Sequence, residues 1–302
     1  MNMPFYVAPE QVMKDRADYA RKGIARGRAL VAVRYLDGIA IVAENSSESL
    51  RKVSEIYDRI AFGGVGRYNE YDQLRVAGVR AADLKGFQYS RDDVDARSLA
   101  NQYAQILGQI FTHEMKPMEV EILVAEVGIE PAGDQMYHIL YDGTVVDERD
   151  YAVLGGDPDA ITARLTEAFG DATAGQLETA AAVRAGVAAL SGADRTLPPA
   201  DLEVALLCRG NGRRCFRRLT DDQVAEHLGT TAGPDEVGAE PSDTSADADN
   251  DAEPPPAVGA PPVRDAGAAT EPPPDMHPPP DPEGPTDTGP PPDPTPSPDP
   301  ST

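Results

Sequence analysis

The stretch RGRALVAVRYLDGIAIVAEN, residues 26–45, reads as two short apolar strands joined at Asp37-Gly38. Asp-Gly suits a tight hairpin turn, because glycine takes the positive φ that the turn demands. Ala29 to Tyr35 and Ile39 to Ala43 are almost continuously apolar, whereas a strand with one wet face would alternate. Both faces of this hairpin are therefore expected to be covered. One strong base, Arg28, stands at the mouth of the first strand.

Upstream, Ala8 to Gly27 reads as an amphipathic helix. Pro9 suits its first turn, and Met13, Ala17, Ala20 and Ile24 recur on one face. Downstream, after Glu44 and the polar NSSES loop, two further strands are expected near Val53 to Tyr57 and Arg59 to Gly64. The four together suggest an antiparallel meander. A long helix follows from about Tyr68 to Ala82, and a second is expected after Ser90 as its N-cap, with Leu99, Tyr103 and Ile110 on its apolar face. Then come EVEILVAEVG, MYHILYDGTVVDE with a second Asp-Gly turn, and YAVLGG as strands. Two more helices are expected, one opened by Asp157-Pro158 and one over about Ala174 to Leu190. The hairpin DLEVALLCRGNGRRCFRRL and a short helix at TDDQVAEHLG complete the pattern.

Strands, two helices, strands, two helices and a closing hairpin do not alternate as a parallel doubly wound sheet does. Two antiparallel sheets packed face to face, each with a helix pair on its outer side, bury both faces of each sheet. The expected fold is thus α+β, a four-layer αββα sandwich preceded by an N-terminal helix.

The chain has 302 residues, enough for one sizeable core, and its net charge of -24 argues against nucleic acid or an anionic membrane as direct partner. About -15 of that charge lies beyond Thr231, where 22 of the 29 prolines also fall. Such a segment cannot assemble a core, so 229–302 is expected to be a disordered acidic tail. Its PxxP-like runs could serve an aromatic groove or act only as a solubilising extension. No apolar run approaches the ~20 residues of a membrane span, and MNMPFYV lacks the marks of a secretory signal, so a cytoplasmic location is expected. Cys208 and Cys215 flank RGNGRR on paired strands, and two thiols with His227 do not complete a zinc site; reduced, structural thiols are expected. The glycines of FGGVGR and VLGG are not followed by the Gly-Lys-Ser/Thr of a phosphate loop, and close backbone approach accounts for them better. His113, His138, His227 and His277 have no glycine-flanked serine to serve. No metal and no cofactor are expected.

Taken in order, APEQVMKDRADYARKGIARG, ALVAVRYLDGIAIVAEN, SLRKVSEIYDRIAFGGVGRYNEYDQLRVAGVRAADLKGF and YSRDDVDARSLANQYAQILGQIFTHEMKPMEVEILVAEVG resemble the alpha subunit of the actinobacterial 20S proteasome, over about residues 4 to 228. The acidic extension lies outside the resemblance. What the resemblance implies is an αββα domain over 8–228, of the N-terminal nucleophile hydrolase type, in a non-catalytic subunit. Copies would form a seven-membered ring, stack on catalytic beta subunits, and admit unfolded protein substrates through a pore narrowed by 1–7, with Met3, Phe5 and Tyr6 as gate residues. The outer face would receive a ring-shaped ATPase delivering proteins marked with the prokaryotic ubiquitin-like protein.

An N-terminal nucleophile needs a hydroxyl or thiol and a free α-amino group on one residue. By the resemblance, that place falls at or next to Arg28, which is neither nucleophile nor base at pH 7. Glu44 and Lys52 fall where beta subunits keep catalytic partners. Glu44 reads as an ion-pairing carboxylate, and Lys52 matches the lysine with which similar alpha subunits dock the ATPase's C-terminal carboxylate. Two rival readings remain at this level, an active hydrolase and a standalone binding module using the Pro-rich tail. Tyr57, Asp58 and Arg59 read either as subunit contacts or as a local turn.

Overall fold

A computed structural model describes residues 8–169 and 174–229. Met3, Phe5, Tyr6, His277 and the acidic extension lie outside them. The described part begins with α1 (Pro9–Ala25), which has proline at its first position and buries Ala20 and Ile24. β1 (Leu30–Tyr35) and β2 (Gly38–Glu44) then pair antiparallel around Asp37-Gly38, with Leu30 opposite Ala43 and Tyr35 opposite Gly38. As expected from its nearly continuous apolarity, this hairpin is covered on both sides. Val31, Val33, Tyr35, Ala40 and Val42 enter one core cluster, while Leu30, Ala32, Ile39, Ile41 and Ala43 enter another.

β3 (Val53–Tyr57) and β4 (Ile60–Gly66) do not extend that hairpin. The expected four-strand meander is corrected here: one sheet has the order β10-β9-β2-β1-β8 and the other β3-β4-β5-β6-β7. Residues 45–52 carry the chain between sheets, so the first four strands are two hairpins in facing layers. The second sheet continues through β5 (Val120–Glu126), β6 (Gln135–Ile139) and β7 (Val145–Glu148), with the second Asp-Gly turn joining β6 to β7. β8 (Tyr151–Leu154) returns to the first sheet beside β1, and β9 (Leu202–Cys208) and β10 (Phe216–Arg218) complete it.

α2 (Tyr68–Gln88) and α3 (Ala96–His113) cover the second sheet, burying Leu74, Leu99, Tyr103 and Leu107 against Phe62, Ile122 and Val124. α4 (Pro158–Phe169) and α5 (Thr179–Ser191) cover the first, with Leu165, Val183 and Leu190 on Val31, Val42 and Leu206. A third cluster, including Leu30, Ile41, Leu123, Val127 and Ala205, lies between the sheets, and α1 closes it through Ala20 and Ile24. The result is the expected four-layer αββα sandwich. α6 (Asp221–Leu228) ends the described part, opened by a Thr220–Gln223 capping box and closed by Gly229 in the left-handed conformation.

Three helix boundaries are corrected. The first long helix ends at Gln88, not Ala82. Ser90 caps only a single tight turn, Arg91–Asp93, and α3 starts behind Asp95, whose carboxylate accepts the Ser98 N–H at 2.7 Å and the Lys85 ammonium at 2.9 Å. Asp95 wins because it can be anchored from α2. α5 starts at Thr179, after a short turn at Ala174–Gln176. The glycine pairs do mark close approach: a Cβ on Gly64 would stand 2.7 Å from the Tyr71 ring, and one on Gly155, at φ 67°, would stand 2.3 Å from Val65. Asp58 and Arg59 form the β3–β4 turn, and Asp58 accepts Arg91 Nε at 3.0 Å, which holds its carboxyl below the usual range.

Candidate functional site

The head of β1 gathers residues from four places in the chain. Arg28 lies two residues before the strand. Glu44 ends β2, where its N–H donates to Ala29 O at 3.1 Å. Lys52 immediately precedes β3, with its carbonyl accepting the Gly64 N–H at 2.9 Å. Glu203, the second residue of β9, is buried among apolar neighbours.

Glu203 organises the crossing between sheets. Its carboxylate accepts the Lys52 N–H at 2.9 Å, the Val53 N–H at 3.3 Å and Asn45 Nδ2 at 2.7 Å, and it pairs with the Arg218 guanidinium. Arg218 also donates to Val53 O at 2.7 Å. An ionised group removed from water is tolerable only when so fully partnered. The start of β3, the first strand of the second sheet, is thereby pinned to the first sheet, and this fixes where Lys52 stands.

Lys52 is half-buried, and its Nζ donates to the Arg28 carbonyl. Burial lowers its pKa to about 8; the fields of Glu44 and Glu203 oppose that fall, and the Arg28 guanidinium adds to it. Arg51, next in the chain, is exposed. Arg28 keeps a side chain 47% exposed, donates Nη1 to Ser46 Oγ at 3.1 Å, and stands 3.8 Å from Glu44 Oε1. Glu44 is held more closely by Arg195, whose two terminal nitrogens each lie 3.3 Å from one carboxylate oxygen.

Chemically, this is a cluster of cations around two carboxylates, with no thiol or primary nucleophile at the strand mouth: residues 26–29 are Arg, Gly, Arg and Ala. Ser46 is engaged with Arg28, and Ser47 Oγ accepts the Leu50 N–H at 3.0 Å. Such a site can bind an anion, and among the described residues it offers no hydroxyl or thiol on a residue that also carries a free α-amino group. Arg28, Glu44 and Lys52, expected from the sequence to share one neighbourhood, do share it.

Cys208 and Cys215 are free thiols joined through backbone pairing, Cys208 N–H to Cys215 O at 2.9 Å. Cys208 Sγ lies 3.1 Å from Tyr35 Oη, while burial pushes the Cys215 thiol up. His138 Nε2 lies 3.4 Å from Glu121 Oε2 on a neighbouring strand. Among the described residues, no group of three or more His, Cys, Asp or Glu is placed to hold a metal, and no helix is long and apolar enough to cross a membrane.

The family model described as "Proteasome subunit" matches residues 24–198, which run from β1 through β8 and include Arg28, Glu44, Lys52 and Arg195; Glu203 and Arg218 lie beyond the match. The chain belongs to the proteasome subunit family. Relatives named "Proteasome subunit alpha" place the likeness on the alpha type. One from Acidimicrobium ferrooxidans is 64% identical over 229 residues, covering 76% of this chain and 97% of the relative. Others from Kineococcus radiotolerans and Acidothermus cellulolyticus are each 54% identical, cover 76% and 77% of this chain, and are themselves covered along their full length. This agrees with the resemblance read from the sequence.

The sequence reading missed Glu203, Arg218 and Arg195. A glutamate inside the apolar run LEVALLC was a usable signal, because an unpaired carboxylate there would be prohibitive. Arg195 sits in a loop beyond α5 and had none.

Proposed function

We propose that this chain is a non-catalytic alpha subunit of a proteasome core, working in the cytoplasm. In this reading its copies form seven-membered outer rings that gate entry to a chamber of proteolytic beta subunits. The observation that carries the non-catalytic role is the chemistry at the head of β1, where residue 28, at the strand mouth, offers a guanidinium in place of a hydroxyl or thiol. The rival hydrolase reading lacks a nucleophile with an amino group beside it. A standalone module is disfavoured by apolar surface that a monomer would leave wet. Val12, Met13 and Tyr19 on α1 are exposed, with Met115 beside Val12 and Tyr19, and so are Leu84, Phe87 and Tyr89 at and just past the end of α2. Surfaces of this kind suit neighbours within a ring and between rings.

Within this reading the domain of 8–228 builds the ring, 1–7 form the gate through Met3, Phe5 and Tyr6, and 229–302 is a solvated acidic tail. Lys52 takes the C-terminal carboxylate of a ring ATPase that delivers unfolded proteins marked with the prokaryotic ubiquitin-like protein. The pieces meet in one experiment. The isolated chain should hydrolyse no peptide, co-assembly with beta subunits should bring activity, and deleting residues 2–7 should raise that activity several-fold. Peptide hydrolysis by the isolated chain, blocked by a threonine-directed inhibitor, would overturn the non-catalytic reading, and an unchanged rate after the deletion would remove the gate.

A further inference from the structure

Two cations meet at the head of β1 under tension. Lys52 Nζ donates to the carbonyl of Arg28 itself, so the ammonium is tied to the residue whose guanidinium repels it. Of its three donors, this is the single hydrogen bond among the described residues, and its acceptor is neutral. Arg28, its side chain 47% exposed, keeps most of its donors free of partners among the described residues and open to solvent or a ligand. One of its five donors reaches Ser46 Oγ at 3.1 Å, and its contact with Glu44, at 3.8 Å, is too long for a hydrogen bond.

Glu44 stands 3.8 Å from Arg28 and its field reaches Lys52, yet its oxygens are turned to a third cation. Arg195 addresses both its oxygens at 3.3 Å and is itself fixed by donating to Leu190 O at 2.8 Å. Glu203 is consumed by Arg218, Asn45 and two backbone N–H groups. The cluster of Arg28, Lys52, Arg195 and Arg218 against Glu44 and Glu203 therefore keeps an excess of positive charge, concentrated on its two least satisfied members.

We propose that Arg28 and Lys52 together form the carboxylate receptor, and that Glu44 is its built-in competitor, held aside by Arg195. The proposal rests on the docking role given to Lys52 above and adds a regulating pair to it. An incoming carboxylate accepts from the Lys52 ammonium and the Arg28 fork, relieves their mutual repulsion, and leaves Glu44 wholly to Arg195. Glu44 sets the threshold: a weakly held tail loses to it, and a well-placed one does not. The arginine that replaces a nucleophile at this strand mouth thereby becomes a binding group.

The test uses the assembled alpha–beta particle and a fluorescein-labelled peptide of the ATPase's C-terminal residues, made with a free α-carboxylate and as the amide, and reads binding by polarisation. Arg28→Gln should weaken the free-acid peptide about tenfold, as expected for losing a charge-assisted contact, and Arg28→Lys should restore part of it. Glu44→Gln should tighten binding several-fold. Arg195→Gln should weaken it, because Glu44 is released onto the receptor, and adding Glu44→Gln to that variant should recover the loss. The amide should bind weakly and respond to none of these changes. Loss of binding in Lys52→Ala with no gain in Glu44→Gln and no recovery in the double variant would overturn this proposal and leave the docking role standing. Undiminished binding in Lys52→Ala would overturn both. Gel filtration of each variant particle verifies that assembly is intact.

Discussion

Replacing Lys52 with Ala should abolish ATPase-stimulated degradation of protein substrates. The expected loss is large although each contact is modest. One docked carboxylate contributes about 1–3 kcal/mol, but tails engaging one ring together multiply through effective concentration, so removing the ammonium from every subunit removes the whole avidity. The same residue predicts a pH dependence. Burial draws the Lys52 ammonium down to about 8 against the opposing fields of Glu44 and Glu203. The charged form that a carboxylate needs is thus full below that value and lost as pH rises through it. A bound carboxylate favours the ammonium, so the midpoint for stimulation should lie above that of the free particle. The check is degradation with and without ATPase between about pH 7 and 10. Stimulation that persists in Lys52→Ala would move docking elsewhere on the ring.

Replacing Glu203 with Ala should cost the fold about 3–5 kcal/mol, the usual penalty for stranding a buried charge. The substitution leaves Arg218 without its partner and frees the Lys52 and Val53 N–H groups and Asn45 Nδ2 at the point where the chain crosses between sheets. Thermal unfolding of the purified chain should shift down by roughly 10 °C. The double variant Glu203→Met, Arg218→Met should recover most of that loss, since replacing both members of a buried pair by packed apolar groups is often near neutral. A single variant within about 1 °C of the parent would show that the carboxylate does not pin the crossing.

Much of the architecture was legible because burial writes itself into the residues. The nearly continuous apolarity of β1 and β2 announced a hairpin covered on both faces, and strands followed by helix pairs announced layers. What sequence could not announce was the partner of each strand. β3 and β4 have the same local pattern whether they extend the first hairpin or face it across a core, and the choice is made by a carboxylate about 150 residues downstream, Glu203. Cap choice failed for a related reason: Ser90 and Asp95 are both competent N-caps, and only the tertiary contact from Lys85 separates them. At the site, Arg28, Glu44 and Lys52 were found through resemblance to a family. Arg195, in a loop with no periodicity, became visible only through its grip on Glu44.

The proposed role requires this chain to sit in the outer rings of an assembled particle. Co-expressed with its beta subunit and bearing a small C-terminal tag decorated by a Fab fragment, it should appear in electron micrographs as part of a four-ring stack. The Fab should mark the two outer rings with sevenfold symmetry and leave the inner rings bare. Decoration of the inner rings, or a chain that purifies apart from any ring, would contradict the assignment of this sequence to the gated outer layer.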